Sequence, residues 1–396
     1  MRNVGTISRG IRTPIIKDGD DLVKVVVDSL LKASKTEGFS FRDKDVVAIT
    51  EAVVGIATSN YATVDQIAKA IKDKFNSDNI GVIFPILSRN RFAVLLSAIA
   101  RATKKITLQI SYPADEVGND IMDKEKLKKL GINPYNHVIT EAEYQEKFGD
   151  FKHLFTGINM VNFYKDVIVK EGCEAEIILA NDPRAILSYT NDVLVCDIHS
   201  RYETKEILRN NSKGKVIGLD EILTSSVDGS GYNTKYGLLG SNRATEERVK
   251  LFPEAGDSFV YEIQDELKKA TGKTIEVMIY GDGAFKDPVG QIWELADPVV
   301  SPAYTKGLEG SPNELKLKYL SDNKFNHLSG EELNEAMRNA IKEKDKNLKG
   351  TIETQGTTPR RYVDLLGSLA DLTSGSGDKG TPVVLIQGYF DNYASQ

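Results

Sequence analysis

Cysteine is nearly absent: Cys173 and Cys196 are the only two in 396 residues. Two thiols build neither a disulfide scaffold nor a four-cysteine zinc site. Histidine is almost as sparse, and His137, His153, His199 and His327 form no HExxH-type pair. No apolar run approaches the ~18 residues of a membrane span. The opening Met1-Arg2-Asn3-Val4-Gly5 begins no signal-peptide hydrophobic stretch. A cytoplasmic chain with no membrane partner is the expectation. Excess basic charge is missing too, since 51 Lys and Arg against 57 Asp and Glu leave a net charge of −6. That argues against a phosphate-coating surface and against nucleic acid as a partner. No internal repeat recurs at a fixed period.

What is present is a chain that can build a core. Hydrophobic residues make up 40% of it, and at a soft prior of ~150 residues per domain it divides into two or three units. Lys17-Asp18-Gly19-Asp20-Asp21 reads as a turn ending in an N-cap, and Leu22, Val25, Val26, Leu30 and Ala33 follow at helical spacing. Val46-Val47-Ala48-Ile49-Thr50 is a short apolar run, the pattern of a strand covered on both faces. Helical spacing returns over 64–75. Strand-like runs at 82–87, 106–110, 175–180 and 192–197 alternate with helical segments, the strongest over 92–102. Such alternation predicts βαβ units and a mainly parallel sheet. Residues 118–150 are polar and read as surface helices and loops. Further predicted elements are helices over 257–270 and 361–372, an exposed charged helix over 331–349, and strands over 274–280 and 382–389.

The residue types that could carry chemistry sit in punctuated loops. Asp282 follows an apolar strand and lies between Gly281 and Gly283. There it can hold Mg²⁺ or Mn²⁺ on a phosphate, or close an Asp-Gly turn on itself. Asp287, Gln291 and Glu294 follow closely and could complete a metal shell. Asp228 and Ser230 lie in the loop Ser225-Ser226-Val227-Asp228-Gly229-Ser230-Gly231, and Asn242 ends a second loop that starts at Gly237. Loops of this composition cradle phosphates with backbone N–H groups, and they also serve as plain linkers. Neither loop is a Walker A motif. Ser88-Arg89-Asn90-Arg91 stands between a strand and a helix, where two guanidinium groups and a helix N-terminus suit an anion or a solvated cap. His199 beside Asp197 is an acid–base candidate or a structural histidine. Both cysteines read as small buried residues.

Several segments together resemble one family, the coenzyme F-420-0:L-glutamate ligases. Arg9-Gly10-Ile11-Arg12-Thr13-Pro14-Ile15-Ile16-Lys17-Asp18-Gly19-Asp20-Asp21-Leu22 is similar to the family's "GIPEIKPGDDL" opening, and Asp45-Val46-Val47-Ala48-Ile49-Thr50 to its "GDVLVVT" strand. Val227-Asp228-Gly229-Ser230 stands where the family has "GVDES". Tyr280-Gly281-Asp282-Gly283-Ala284-Phe285 with Gly290-Gln291 stands where it has "ISDTFGRPWRRGQ". The end of the chain, from Asp364 to Tyr389, is similar to "ADELASAAELV…GIPVVIIRGY". The chain departs from the family after the second of these blocks. Where the family has lysines in "TSKIVSK", this chain runs Thr50-Glu51-Ala52-Val53-Val54-Gly55-Ile56.

The resemblance implies an α/β gamma-glutamyl-ligase-like mixed fold, with residues 1–79 and 216–396 as the core and 80–215 as an inserted α/β lobe. It implies an amide ligase of coenzyme F420 biosynthesis. Such a ligase adds L-glutamate to a carboxylate of F-420-0 or another acidic metabolite, through an acyl phosphate, with GTP or ATP and Mn²⁺ or Mg²⁺. It also implies a homodimer. The metal ligands would be Asp228, Asp282 and Gln291, and the nucleotide contacts Ser230 and Asn242; Arg89 and Arg91, in the stretch from about 80 to 220 that has no counterpart in the family, could bind the nucleotide by supplying the positive charge of the missing lysines. A non-catalytic binding relative that keeps the fold is the alternative.

Overall fold

The structure is a computed structural model. It describes all residues except 1–2, 90, 154–155, 255, 282–283, 287–292, 296–300, 355–359, 375–377 and 396; of 284–286 and 293–295 it describes the backbone alone. The chain divides into two compact units, Met1–Ala57 with Ala255–Gln396, and Thr58–Glu254.

The chain enters the first unit through strand β1 (Ile7–Ile11), helix α1 (Leu22–Glu37), strand β2 (Val46–Thr50) and helix α2 (Glu51–Ala57). Asp21 caps α1 as its spacing predicts, accepting the Lys24 N–H at 3.0 Å. Gly38 closes the helix in the left-handed conformation at φ 70°.

The second unit holds β3 (Tyr61–Thr63), α3 (Val64–Phe75), β4 (Asn79–Ile83), α4 (Phe92–Ala102), β5 (Lys105–Ile110), α5 (Lys124–Lys129) and β6 (Ile139–Thr140). It continues with α6 (Glu141–Phe148), α7 (Met160–Lys170), β7 (Glu174–Leu179), β8 (Val193–Val195), α8 (Arg201–Asn211), β9 (Val216–Gly218), β10 (Asn242–Thr245) and β11 (Arg248–Lys250). The first unit resumes with α9 (Gly256–Thr271), β12 (Glu276–Tyr280), the hairpin β13 (Ala284–Lys286) and β14 (Trp293–Leu295), α10 (Leu317–Tyr319), α11 (Gly330–Glu343), α12 (Tyr362–Ser374) and β15 (Val383–Gln387).

A four-stranded mixed sheet in the order β1-β15-β2-β12 centres the first unit. β2 and β12 run parallel, and β15 is antiparallel to both β1 and β2. Period-two alternation splits the strands between two cores. Val47, Ile49, Val277, Ile279, Val383 and Leu385 pack with α1 and α9 through Val26, Leu30, Val260 and Ile263. Val46, Ala48, Met278, Val384 and Ile386 pack on the other face with Val363, Leu366 and Ala370 of α12. Covering both faces explains why β2 and β15 are apolar throughout.

In the second unit a six-stranded sheet runs β6-β7-β5-β4-β8-β9, parallel except for the edge strand β6. Chain order therefore reverses between β4 and β8. A smaller antiparallel sheet orders β10-β11-β3. This unit reaches beyond the expected 80–215 at both ends. Ile67 and Ile71 of α3 share one core with Leu95 and Ile99 of α4. β3 pairs with β11, and the Asn60 side chain ties the same stretch to the backbone of Tyr232 and Phe252. These contacts carry 58–79 and 216–254 into the second unit. Among the described residues, no helix is long and apolar enough to cross a membrane.

Candidate functional site

Among the described residues, Arg9, Arg12, Lys32 and Lys379 line a cavity of ≈ 910 Å³ in the first unit. That size lies within the range of small-molecule sites. β1 supplies Arg9 and leads directly into Arg12. α1 supplies Ser29, Lys32 and Thr36 at one-turn spacing, while its Val26 and Leu30 turn into the core. The connection from α12 to β15 supplies Lys379 and Thr381. Thr381 lies so close to β1 that a Cβ on Gly10 would stand 3.0 Å from it, which suits the absence of a side chain there.

Four cations thus face a single lining carboxylate, Glu37. Arg9 is held in place. Its Nη1 donates to Gln387 Oε1 at 2.6 Å, and its guanidinium lies 4.8 Å over the Phe39 ring. Gln387 in turn donates to the buried Asp45 carboxylate at 2.6 Å. Burial raises the Asp45 pKa, against the pull of that hydrogen bond. Arg12, Lys32 and Lys379 make no ion pair among the described residues. Unpaired cations around one preoriented guanidinium suit a ligand of several negative charges, such as a phosphate chain or a polycarboxylate. The sequence reading did not single out this cavity, because its cations lie at opposite ends of the chain.

None of the described residues expected to form the site lines this cavity. Asp228 and Ser230 share one tight turn in the second unit. The Ser230 hydroxyl accepts the Val227 N–H at 3.0 Å and its carbonyl accepts the Ser226 hydroxyl at 2.7 Å. Ser230 is buried and closes the turn rather than presenting its hydroxyl to a ligand. Asp228 occupies the left-handed region at φ 48°, and Lys69 Nζ lies 2.7 Å from each of its carboxylate oxygens. Asn242 opens β10, paired in register with Lys250. Asp282 and Gln291 lie outside the described residues, as does Asp287. No group of three or more His, Cys, Asp or Glu side chains converges among the described residues. Among the described residues, the partner of the Asp228 carboxylate is the Lys69 ammonium.

Arg89 and Arg91 follow β4, at the reversal of strand order where α/β sheets commonly place ligands. Arg89 is exposed, and Arg91 forms the N-cap of α4 without a side-chain cap bond. Across the reversal, after β8, the Asp197 carboxylate is engaged by hydroxyls of α8 and its cap rather than by the neighbouring His199. One Asp197 oxygen accepts the Ser200 and Thr204 hydroxyls, each at 2.7 Å. The other is buried without a partner among the described residues, and burial raises the Asp197 pKa. The His199 N–H goes to Glu116 Oε2 at 3.0 Å, and Glu116 Oε1 takes the Ile198 N–H. Burial also raises the Glu116 pKa. Both cysteines are buried free thiols, and burial pushes Cys173 up to about 11.

The family model described as F420-0:Gamma-glutamyl ligase matches residues 10–388, which is nearly the whole chain. No curated protein matches the chain.

Proposed function

The chain belongs to the F420-0:gamma-glutamyl ligase family, and from that membership we propose that it joins the amine of L-glutamate to a carboxylate of F420-0 or a closely related acidic acceptor. The match over residues 10–388 is the observation that carries this reading. A carboxylate resists attack by an amine until one of its oxygens becomes part of a better leaving group. Transfer of the terminal phosphoryl group of GTP or ATP to that oxygen gives an acyl phosphate. The glutamate nitrogen then attacks the carbonyl carbon, the C–O bond to phosphate breaks, and the amine proton leaves to solvent.

All three reactants are anions, so the protein must supply positive charge that water otherwise screens. The Arg9, Arg12, Lys32 and Lys379 cavity suits that need. The Arg9–Gln387–Asp45 chain fixes one guanidinium before the ligand arrives, which lowers the cost of ordering the site. Mn²⁺ or Mg²⁺ would enter as the complex with the triphosphate, whose charge it offsets. The working enzyme is expected to be a homodimer.

Incubation with F420-0, L-glutamate, GTP or ATP and Mn²⁺ tests the reading by mass spectrometry. The expected product is the acceptor carrying one added glutamyl residue, formed with one inorganic phosphate. Nucleotide hydrolysis that is indifferent to both glutamate and acceptor would overturn it.

A further inference from the structure

We propose that Lys69 takes the place of a divalent ion at Asp228, so that ion binding to this turn competes with an ammonium group built into the chain. The proposal deepens the ligase reading, because it concerns a carboxylate that the family resemblance assigns to metal.

Three observations carry it. First, the contact has the form of a counter-ion site. Lys69 Nζ lies 2.7 Å from both Oδ1 and Oδ2 of Asp228 and covers the carboxylate edge a metal would use.

Second, the arrangement is preorganised from both sides. Thr63 and Gln66 form a capping box at the start of α3, with Thr63 N–H on Gln66 Oε1 at 2.8 Å and Gln66 N–H on Thr63 Oγ1 at 3.2 Å. The same Gln66 side chain donates through Nε2 to the Asp228 carbonyl at 3.0 Å. Lys69 stands one turn further along α3, on the same face. Two consecutive turns of one capped helix thus hold the carbonyl and the carboxylate of one residue, whose backbone is already left-handed at φ 48°. Asp and Asn are the non-glycine residues that adopt this conformation most readily.

Third, Lys69 is the first basic residue after Lys44. The stretch following β2, from Glu51 to Ala68, carries no lysine or arginine. The charge arrives one helix later and reaches Asp228. Asp73 also lies in the field of Lys69 and, with Asp228, raises its pKa, so the ammonium is the form present at neutral pH.

A dication approaching Asp228 must displace this ammonium against its repulsion. The test is titration of the nucleotide-free full-length protein with Mn²⁺, followed by the electron paramagnetic resonance of the free ion. Wild type, Lys69→Gln, Lys69→Arg, Asp228→Asn and Lys69→Gln with Asp228→Asn are compared. Lys69 and Asp228 are half exposed and touch no core, so circular dichroism should show all five folded. The expected result is that Asp228→Asn binds Mn²⁺ as wild type does. Lys69→Gln should gain about tenfold in Mn²⁺ affinity, as expected when a neighbouring positive charge is removed. That gain should vanish in the double variant, and Lys69→Arg should behave as wild type. A tenfold loss of wild-type Mn²⁺ affinity on Asp228→Asn would overturn the proposal, and so would a Lys69→Gln variant with no gain. Ion binding is read without turnover, so failure of the ligase assay and failure of this proposal remain separate results.

Discussion

Arg12, Lys32 and Lys379 are the side chains on which the cationic cavity depends, since Arg9 is already engaged with Gln387. A charge-assisted contact to a phosphate oxygen stabilises binding by ~1.5–3 kcal/mol. Arg12→Ala and Lys379→Ala should therefore each weaken GTP binding by about tenfold or more. Calorimetry at low and high salt checks this, with the wild-type advantage shrinking as salt rises. Unchanged affinity in both variants would remove the cavity from the account. Asp197 makes a second prediction. Burial raises its folded pKa, so its contribution to stability is present below the ordinary carboxylate value of 3.8 and is lost as pH rises through the folded value. Asp197→Asn carries no such charge. It should be more stable than wild type at neutral pH, and the difference should disappear near pH ~4. Urea midpoints at the two pH values decide it. At this scale the sequence reveals what is local. The Asp21 cap is legible because its partner, Lys24, is three residues away. That the Ser230 hydroxyl closes its own turn, or that Lys69 reaches Asp228 across 159 residues, is not legible from neighbours in the chain.

Elements with a strong apolar pattern are readable in the sequence, and short polar strands are not. Helices α3 and α4 run over 64–75 and 92–102, as their spacing predicts, because a wide apolar stripe defines each. β2 and β15 stand out because both faces are buried. β10 and β11 have three or four residues of mostly polar sequence, paired by backbone alone, so no period marks them. The same distinction predicts mutational cost. Leu385 is fully buried in β15 between β1 and β2. Leu385→Ala should cost ~2–5 kcal/mol by chemical denaturation. Gly240 presents a different case. Its φ is +70°, and a Cβ there would lie 1.8 Å from the Phe252 ring. Gly240→Ala should cost more than the ~1–3 kcal/mol of left-handed strain alone, because the ring must also move. A Gly240→Ala protein as stable as wild type would contradict the placement of that ring.

For the whole molecule, the alternation of strands and helices identifies an α/β chain, length bounds it at two or three units where the structure has two, and the family resemblance identifies the ligase. The boundaries at 58 and 254 depend on which core α3 and the Asn60 loop join. That is a tertiary choice, and α3 follows β2 in sequence while packing on α4. The expected assembly is a homodimer, so sedimentation equilibrium should give twice 43.7 kDa. A single species at that monomer mass across micromolar concentrations would contradict it. The central claim is amide formation through an activated carboxylate, and one isotope experiment tests it most directly. F420-0 labelled with heavy oxygen in its reacting carboxylate is incubated with L-glutamate, GTP and Mn²⁺, and the released phosphate is examined by mass spectrometry. In the acyl phosphate route one carboxylate oxygen leaves bonded to phosphorus. Phosphate should therefore carry one labelled oxygen for each glutamyl product formed, whereas unlabelled phosphate accompanying that product would contradict the account.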